Sequence, residues 1–392
     1  MRIVAVRERT IELSSATRNS SISFDAMTAS VVAVHTDAKK NGRPLVGLAF
    51  DSVGRYGHGG LLRERFIPRL MAADPEAYSD RHGGIDPRRA WDVMMKDEKA
   101  GGHGERSGAV GLLDAALWDL AAKAADAPLW SLLAQRHEAA SAGAKNGSAQ
   151  IAIYASGGHY RASNDIAGLC DDLRRAIGQG HRRFKIKIGG ASLADDIKRI
   201  EAVFGVLERG MSLAVDGNGT FDREKTIRYL EALKPYPIAW IEEPVHPLDF
   251  DLHRDVIAQT EIPLATGENL FSRDDARNLI RYGGLRRDRD ILQFDISLSY
   301  GIVEYLRILD DLDEHGWRRD RCAPHAGHLL AMNAVAGLGL GLAEVAMDTS
   351  TLFGKLTAHV PVSDGTVTLP DAPGAGFEKI PIFSEIFGGL LN

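Results

Sequence analysis

Three acids in this 392-residue chain stand in the same local setting. Asp216, Glu242 and Glu268 each close a short apolar run, in LAVDGN, IAWIEEP and PLATGE. They recur at equal intervals of 26 residues, about the length of one strand plus one helix. An acid after a strand can simply cap the next helix, and that would account for one of the three. Three at one spacing imply convergence, and converging anions repel unless a cation sits among them. Oxygen-only ligands suit a hard ion, so Mg²⁺ is expected rather than zinc. Lys185 and Lys187 stand two apart in FKIKIG and so share a face of a strand. Two ammonium groups beside a metal favour loss of one proton, which would make one lysine a general base. His325 follows Pro324 at the end of RCAPHA, and Asp295 ends the apolar run before it. A carboxylate one strand away can hold one ring nitrogen and set the tautomer of the other.

Such groups must be carried on a frame that brings strand ends together. From about Ala149 short apolar runs alternate with amphipathic stretches: IAIYAS, FKIKIG, LAVDGN, IAWIEEP, PLATGE, ILQFDI, RCAPHA and LAEVAM. Eight candidate strands in strict alternation with helices imply a parallel sheet closed into a TIM barrel. The last unit is irregular, so a modified barrel is expected. Before it, Met1–Leu13, Thr28–Thr36 and Arg43–Phe50 read as strands. Leu61–Ala72, Pro87–Met95 and Gly108–Ala124 read as helices, giving an α+β first domain. The expected class is therefore α/β: a modified TIM barrel over 149–354 with an N-terminal α+β capping domain over 1–148. A C-terminal segment, 355–392, contains a hairpin and is expected to return to the first domain.

Composition narrows the class further. Apolar residues make up 44%, charged residues 26%, and the net charge is −6, with no dense basic block. These values fit a soluble globular protein and give no nucleic-acid-binding surface. No apolar run reaches a membrane span, and the N-terminus lacks a signal-peptide core. Cys170 and Cys322 lie outside any CxxC or Cys/His cluster, so a reducing cytoplasm is expected and structural zinc is not. The glycine clusters RYGHGG and KAGGHGERS lack a P-loop pattern. GLGLGL follows no strand with an acidic ribose partner. His58 and His103 read as loop or pocket residues.

In combination, KIK, the Asp216/Glu242/Glu268 set, Asp295 and His325 resemble the enolase superfamily in its mandelate racemase subgroup. GRYGHGGLLRERF, DEKAGGHGERSGAVGLLDAALWDLAAK, TGENLFSRDDARNLIRYGGLRRDRDILQFDISLSYG and RCAPHAGH resemble the D-tartrate dehydratases within it. The resemblance implies a Mg²⁺-dependent acid-sugar dehydratase, with D-tartrate to oxaloacetate as the expected reaction. Another aldonic or aldaric acid, or racemisation of a 2-hydroxy acid, is the alternative. It implies Lys187 as base, His325 as acid, and Lys185 on the substrate carboxylate. It places Asn19, Lys99, His159 and Glu344 at the substrate. It also implies a homo-oligomer acting on a small molecule. Two positions depart from that pattern: Val53 replaces Asn, and His159 replaces Tyr. The Val53 side chain cannot hydrogen-bond a hydroxyl or a carboxylate. Asn218 is expected to orient a metal ligand and Glu243 to pair with Lys185.

Overall fold

The structure, a computed structural model, describes residues 1–13, 18–53, 55–137, 149–348, 352–355 and 360–391. The expected domain boundary at 148 lies outside the described residues. The chain begins with a three-stranded antiparallel sheet of β1 (Ile3–Glu12), β2 (Thr28–Lys40) and β3 (Arg43–Phe50), in the order β1-β2-β3. β2 is central, and its run from Ala29 to Val34 is buried. The sheet packs on the helix Arg106–Ala124, which is buried over nearly its whole length. A helix apolar on every side belongs inside a core, and this one lies between the sheet and the barrel. The helix Pro87–Met95 falls where the sequence places it. The expected helix at Leu61–Ala72 runs from Gly59 to Ala72 through a π-helical turn, Leu62–Phe66.

The second sheet is the barrel. Its strands are β4 (Gln150–Gly157), β5 (Arg183–Lys187), β6 (Ser212–Asp216), β7 (Ile238–Glu242), β8 (Leu264–Thr266), β9 (Ile291–Leu292) and β10 (Ala343–Ala346). Neighbours pair in parallel from β4 round to β9, and β10 closes on β4. The expected seventh strand, RCAPHA, is reduced to a single parallel bridge between Leu292 and Cys322. Its backbone still bridges the gap: Ala323 N donates to Leu292 O at 2.9 Å, and Gly341 N donates to Cys322 O at 2.9 Å. Pro324 cannot donate to a ladder, and the 3₁₀ turn Arg319–Arg321 precedes the bridge, so the strand stops there.

Beyond the barrel, β11 (Val362–Ser363) and β12 (Thr366–Thr368) form a hairpin that adds to β4. The chain then reaches the first sheet. Arg9 donates to the carbonyls of Glu385 and Ile386 at 2.6 and 2.7 Å, and His35 meets Leu390 O at 2.7 Å. Among the described residues no helix is long and apolar enough to cross a membrane.

Candidate active site

Register sets the first layer of the site. Lys187 pairs with Asp216, and Asp216 pairs with Glu242, so the last residues of β5, β6 and β7 form one row across the mouth. Glu268 joins them from the turn after β8, where Gly267 at φ 123° brings the chain round. A Cβ at Gly267 would lie 3.0 Å from the Phe294 ring, in a conformation L-residues rarely adopt. Asn218, Glu243 and Ala326 also have positive φ, of 49°, 30° and 98°, each one or two residues beyond a site residue. Backbone held in sparsely populated regions at several strand ends is the pattern expected where side chains are aimed for function.

One carboxylate oxygen from each of Asp216, Glu242 and Glu268 lies within 4.8 Å of the others. None of the three caps a helix. The helices after β6, β7 and β8 are capped further on, by Asp222, Asp249 and Ser272. Asp216 is steadied by Asn218, whose backbone N and Nδ2 donate at 2.8 and 3.2 Å, as expected. Glu242 Oε2 accepts from Gln293 Nε2 at 2.6 Å and Trp240 Nε1 at 3.2 Å. Burial pushes the Glu242 carboxyl up to about 8, and Asp216 and Glu268 push the same way against Lys185. An all-oxygen set whose negative charge is this costly to assemble fits a hard divalent cation.

The lysines meet these acids from two levels. Lys187 donates to Asp216 Oδ2 at 2.5 Å. Lys185 sits one layer deeper, 1% exposed, bonded to Glu242 and lying 3.1 Å from Glu344 and 3.7 Å from Asp216. Burial works against the charge of Lys187, but Asp216 outweighs it and the pKa is raised. The expected depression is therefore absent while Asp216 is the lysine's counter-ion. Lys185 does not line the cavity above, and its partners do not include Glu243. Glu243 instead accepts from Asn269 at 2.7 Å.

His325 Nδ1 lies 2.9 Å from Asp295 Oδ2, and its Nε2 is 3.8 Å from Glu268. Burial opposes protonation, yet Glu268, Asp295 and Glu344 outweigh it and hold the imidazole up to about 10. Glu344 on β10 accepts from Ala326 N at 2.9 Å. Burial would raise its carboxyl, but Lys185 and His325 bring it well below the usual range. Lys187, His325, Glu268 and Glu344 all line one cavity of about 230 Å³.

The first domain and the barrel loops cover that cavity. Asn19, Val53, Arg55 and His159 line it. Asn19 also folds its own loop, its Oδ1 accepting from Ser21 N and Ile22 N at 2.8 Å each. His159 packs edge-on against Phe24, and burial followed by Lys187 brings its pKa down to about 4. Lys99 is not brought to the site: it is exposed on the loop after Pro87–Met95 and does not line the cavity. That loop is tethered elsewhere, because Glu98 binds Arg65, Arg69 and Arg106. The sequence reading missed Ser52, Trp240 and Gln293. Trp240 and Gln293 stand two residues before Glu242 and Asp295, so strand alternation already puts each on the same face as its acid. Ser52 carries no such signal.

Comparison with known proteins follows the same outline. A model described as enolase C-terminal domain-like matches residues 168–380. The L-talarate/galactarate dehydratase of Salmonella typhimurium is 31% identical over 310 residues, 78% of this chain and 72% of that one. The arabinonate dehydratase of Saccharolobus solfataricus is 27% identical over 294 residues, 73% of this chain and 74% of that one. An L-talarate dehydratase from Polaromonas sp. JS666, complexed with Mg and L-glucarate, superposes with a TM-score of 0.75. It is 25% identical and covers 95% of this chain and 92% of that one. None of these three is named for tartrate.

Proposed function

The chain belongs to the enolase C-terminal domain-like family, and from that membership we propose a magnesium-dependent dehydratase of acid sugars. The observation that carries this reading is a single cavity lined by an amine, Lys187, and an imidazole, His325, beside the clustered oxygens of Asp216, Glu242 and Glu268. Those three acids would hold Mg²⁺, which supplies positive charge beside the substrate carboxylate as that group takes up an electron pair. The dehydratases named above, one of them complexed with Mg, support both the ion and the reaction class.

The chain's own residues account for the two proton transfers. With Asp216 committed to a bound cation, Lys187 would lose the partner that holds it charged, and Lys185 beside it would favour the neutral amine. Neutral Lys187 takes the proton from carbon 2 of a 2,3-dihydroxy acid. His325, held protonated and oriented by Asp295, gives a proton to the departing 3-hydroxyl, which leaves as water. The enol left behind tautomerises to a 2-keto acid. Glu344 lines the cavity with Lys185 paired beneath it, so Lys185 is proposed to act on the substrate side through Glu344 rather than by direct contact.

D-tartrate is one substrate to test, on the strength of the segments resembling its dehydratases. Arabinonate and galactarate stand beside it, because relatives act on them. Val53 gives the cavity wall an apolar side chain, and that contact is proposed to select among these acids.

The test is a screen of diastereomeric acid sugars with Mg²⁺, reading 2-keto acid as its semicarbazone. At least one acid should yield product. Lys187→Ala and His325→Asn should each lower kcat by about 10²- to 10⁴-fold, the usual contribution of a positioned acid or base. In D₂O, His325→Asn should still exchange the α-proton and Lys187→Ala should not. No 2-keto acid from any acid sugar, or near wild-type turnover by either variant, would overturn the reading.

A further inference from the structure

We infer that Ser52, a residue of the capping domain, is a positioning residue for His325: its hydroxyl orients the Asp295 carboxylate that fixes the imidazole. The inference rests on the acid role proposed for His325. Ser52 stands two residues beyond the end of β3 and is 1% exposed. Its Oγ donates to Asp295 Oδ2 at 2.5 Å. The same oxygen meets His325 Nδ1 at 2.9 Å, while Asp295 Oδ1 accepts from Leu298 N at 2.9 Å. Asp295 is therefore held by its own loop at one oxygen and by the other domain at the oxygen that touches the imidazole. A carboxylate gripped at one oxygen alone can still swing the other, and Ser52 removes that freedom.

The chain that carries this hydroxyl is held at neighbouring residues. Just before it, Asp51 N donates to Ser30 O at 2.9 Å, and Asp51 Oδ2 accepts from Ser30 N at 2.8 Å and faces His58 Nδ1 at 3.0 Å. One residue earlier, Phe50 O accepts from His328 Nε2 at 2.8 Å. Three residues after Ser52, Arg55 donates to Asn269 Oδ1 at 2.6 Å. Phe50 and Arg55 thus tie the chain to the barrel on either side of Ser52. The placement gives the cap a task besides covering the cavity: it completes the support of the group that protonates the leaving hydroxyl.

A buried serine needs some partner in any case, so the test must separate orientation from mere satisfaction of a polar group. Ser52→Ala is compared with Ser52→Thr, which keeps the hydroxyl, on an acid sugar found in the screen. Ser52→Ala should lower kcat for dehydration by about 10-fold or more, part of what a positioned acid supplies. KM and the rate of α-proton exchange in D₂O, the Lys187 half of the reaction, should stay within about threefold of wild type, a split expected when only the acid step suffers. Ser52→Thr should restore kcat. A second readout uses the metal-free protein with ¹⁵N-labelled histidine, the His325 signal being assigned by its loss in His325→Asn. Its Nδ1 proton should exchange with water faster in Ser52→Ala than in wild type or Ser52→Thr. Unchanged kcat and unchanged proton exchange would overturn the inference, as would equal loss of dehydration and α-proton exchange. If wild type dehydrates no acid sugar, the function proposal fails, and the imidazole proton alone still decides whether Ser52 orients His325.

Discussion

Glu242 is held by three side chains from three different strands or strand ends. Lys185, Gln293 and Trp240 all reach its carboxylate, and it is fully buried. Donors that hold a ligand oxygen set its direction before any ion arrives, and losing one costs about 10- to 100-fold in metal affinity. Gln293→Leu should therefore weaken Mg²⁺ binding by about that factor, measured by calorimetric titration of the purified protein. Unchanged affinity would show that Lys185 and Trp240 suffice. The acids themselves were legible in the sequence because each ends an apolar run at a constant interval. The donors beneath them were legible only in part. Gln293 is a polar residue inside ILQFDI, and its alternation with Asp295 marks an inward face, but nothing local shows that the partner is an acid two strands away. Lys99 failed for the converse reason. Its place was inferred from a resemblance, and it lies exposed beside Glu98, which Arg65, Arg69 and Arg106 bind, and outside the cavity lining.

Six of the eight barrel strands, and β10 as the eighth, follow the apolar runs because each run is short and apolar, and the helices after β5, β6, β7 and β8 each open on a side-chain cap. RCAPHA looked like the others by composition and differs by hydrogen bonding. A proline and a preceding 3₁₀ turn leave one bridge, and His325 leaves the sheet with Ala326 at φ 98° behind it. Equally hidden in the sequence is how the helix Arg106–Ala124 meets the loop that carries Asp295. Gly111 sits against the backbone of Ser297 and Gly301, and a Cβ there would collide with the Ser297 carbonyl oxygen. One turn on, Asp114 accepts from Ile302 N at 2.6 Å, and Trp91 from the neighbouring helix donates to Tyr300 O at 2.9 Å. The glycine is thus required by close approach rather than by a turn. Gly111→Ala should destabilise the protein by about 1–3 kcal/mol, the usual cost of overfilling a packed contact. Urea unfolding would measure it, and dehydration should fall as well, because the displaced loop carries Asp295. Wild-type stability in this variant would mean that the helix and loop can slide apart freely.

At the scale of the whole molecule, the seating of cap on barrel is coupled to protonation through His328. It caps the helix Leu329–Leu338 by accepting from Leu330 N at its Nδ1, at 3.0 Å, and donates from Nε2 to Phe50 O at 2.8 Å. Its ring stacks on Phe50 with centroids 4.1 Å apart. Both nitrogens are thus committed in the neutral form, and a second proton would remove the acceptor that caps the helix. Burial brings the His328 pKa down to about 4, against opposing pulls from the Phe50 carbonyl and Asp295. In the unfolded chain the same ring takes its proton near 6.5. Between those values the unfolded state binds the extra proton, so stability falls as pH falls, by up to about 1.4 kcal/mol per pH unit from this residue. The contribution is fully present above pH 6.5 and is spent by pH 4. His325 runs the other way, because its raised pKa stabilises the fold below its unfolded value and is lost only as pH climbs toward 10. The two offset each other near 6.5 but not below about pH 6, where the His325 contribution is nearly constant while that of His328 is still changing. His328→Asn keeps a side-chain oxygen to cap Leu330 and removes the titration. Urea unfolding at pH 7, 6 and 5 should give a shallower acid slope for this variant than for wild type, by about 1 kcal/mol per pH unit. Parallel slopes would mean that other groups carry the acid sensitivity and that His328 takes its proton without loosening cap from barrel.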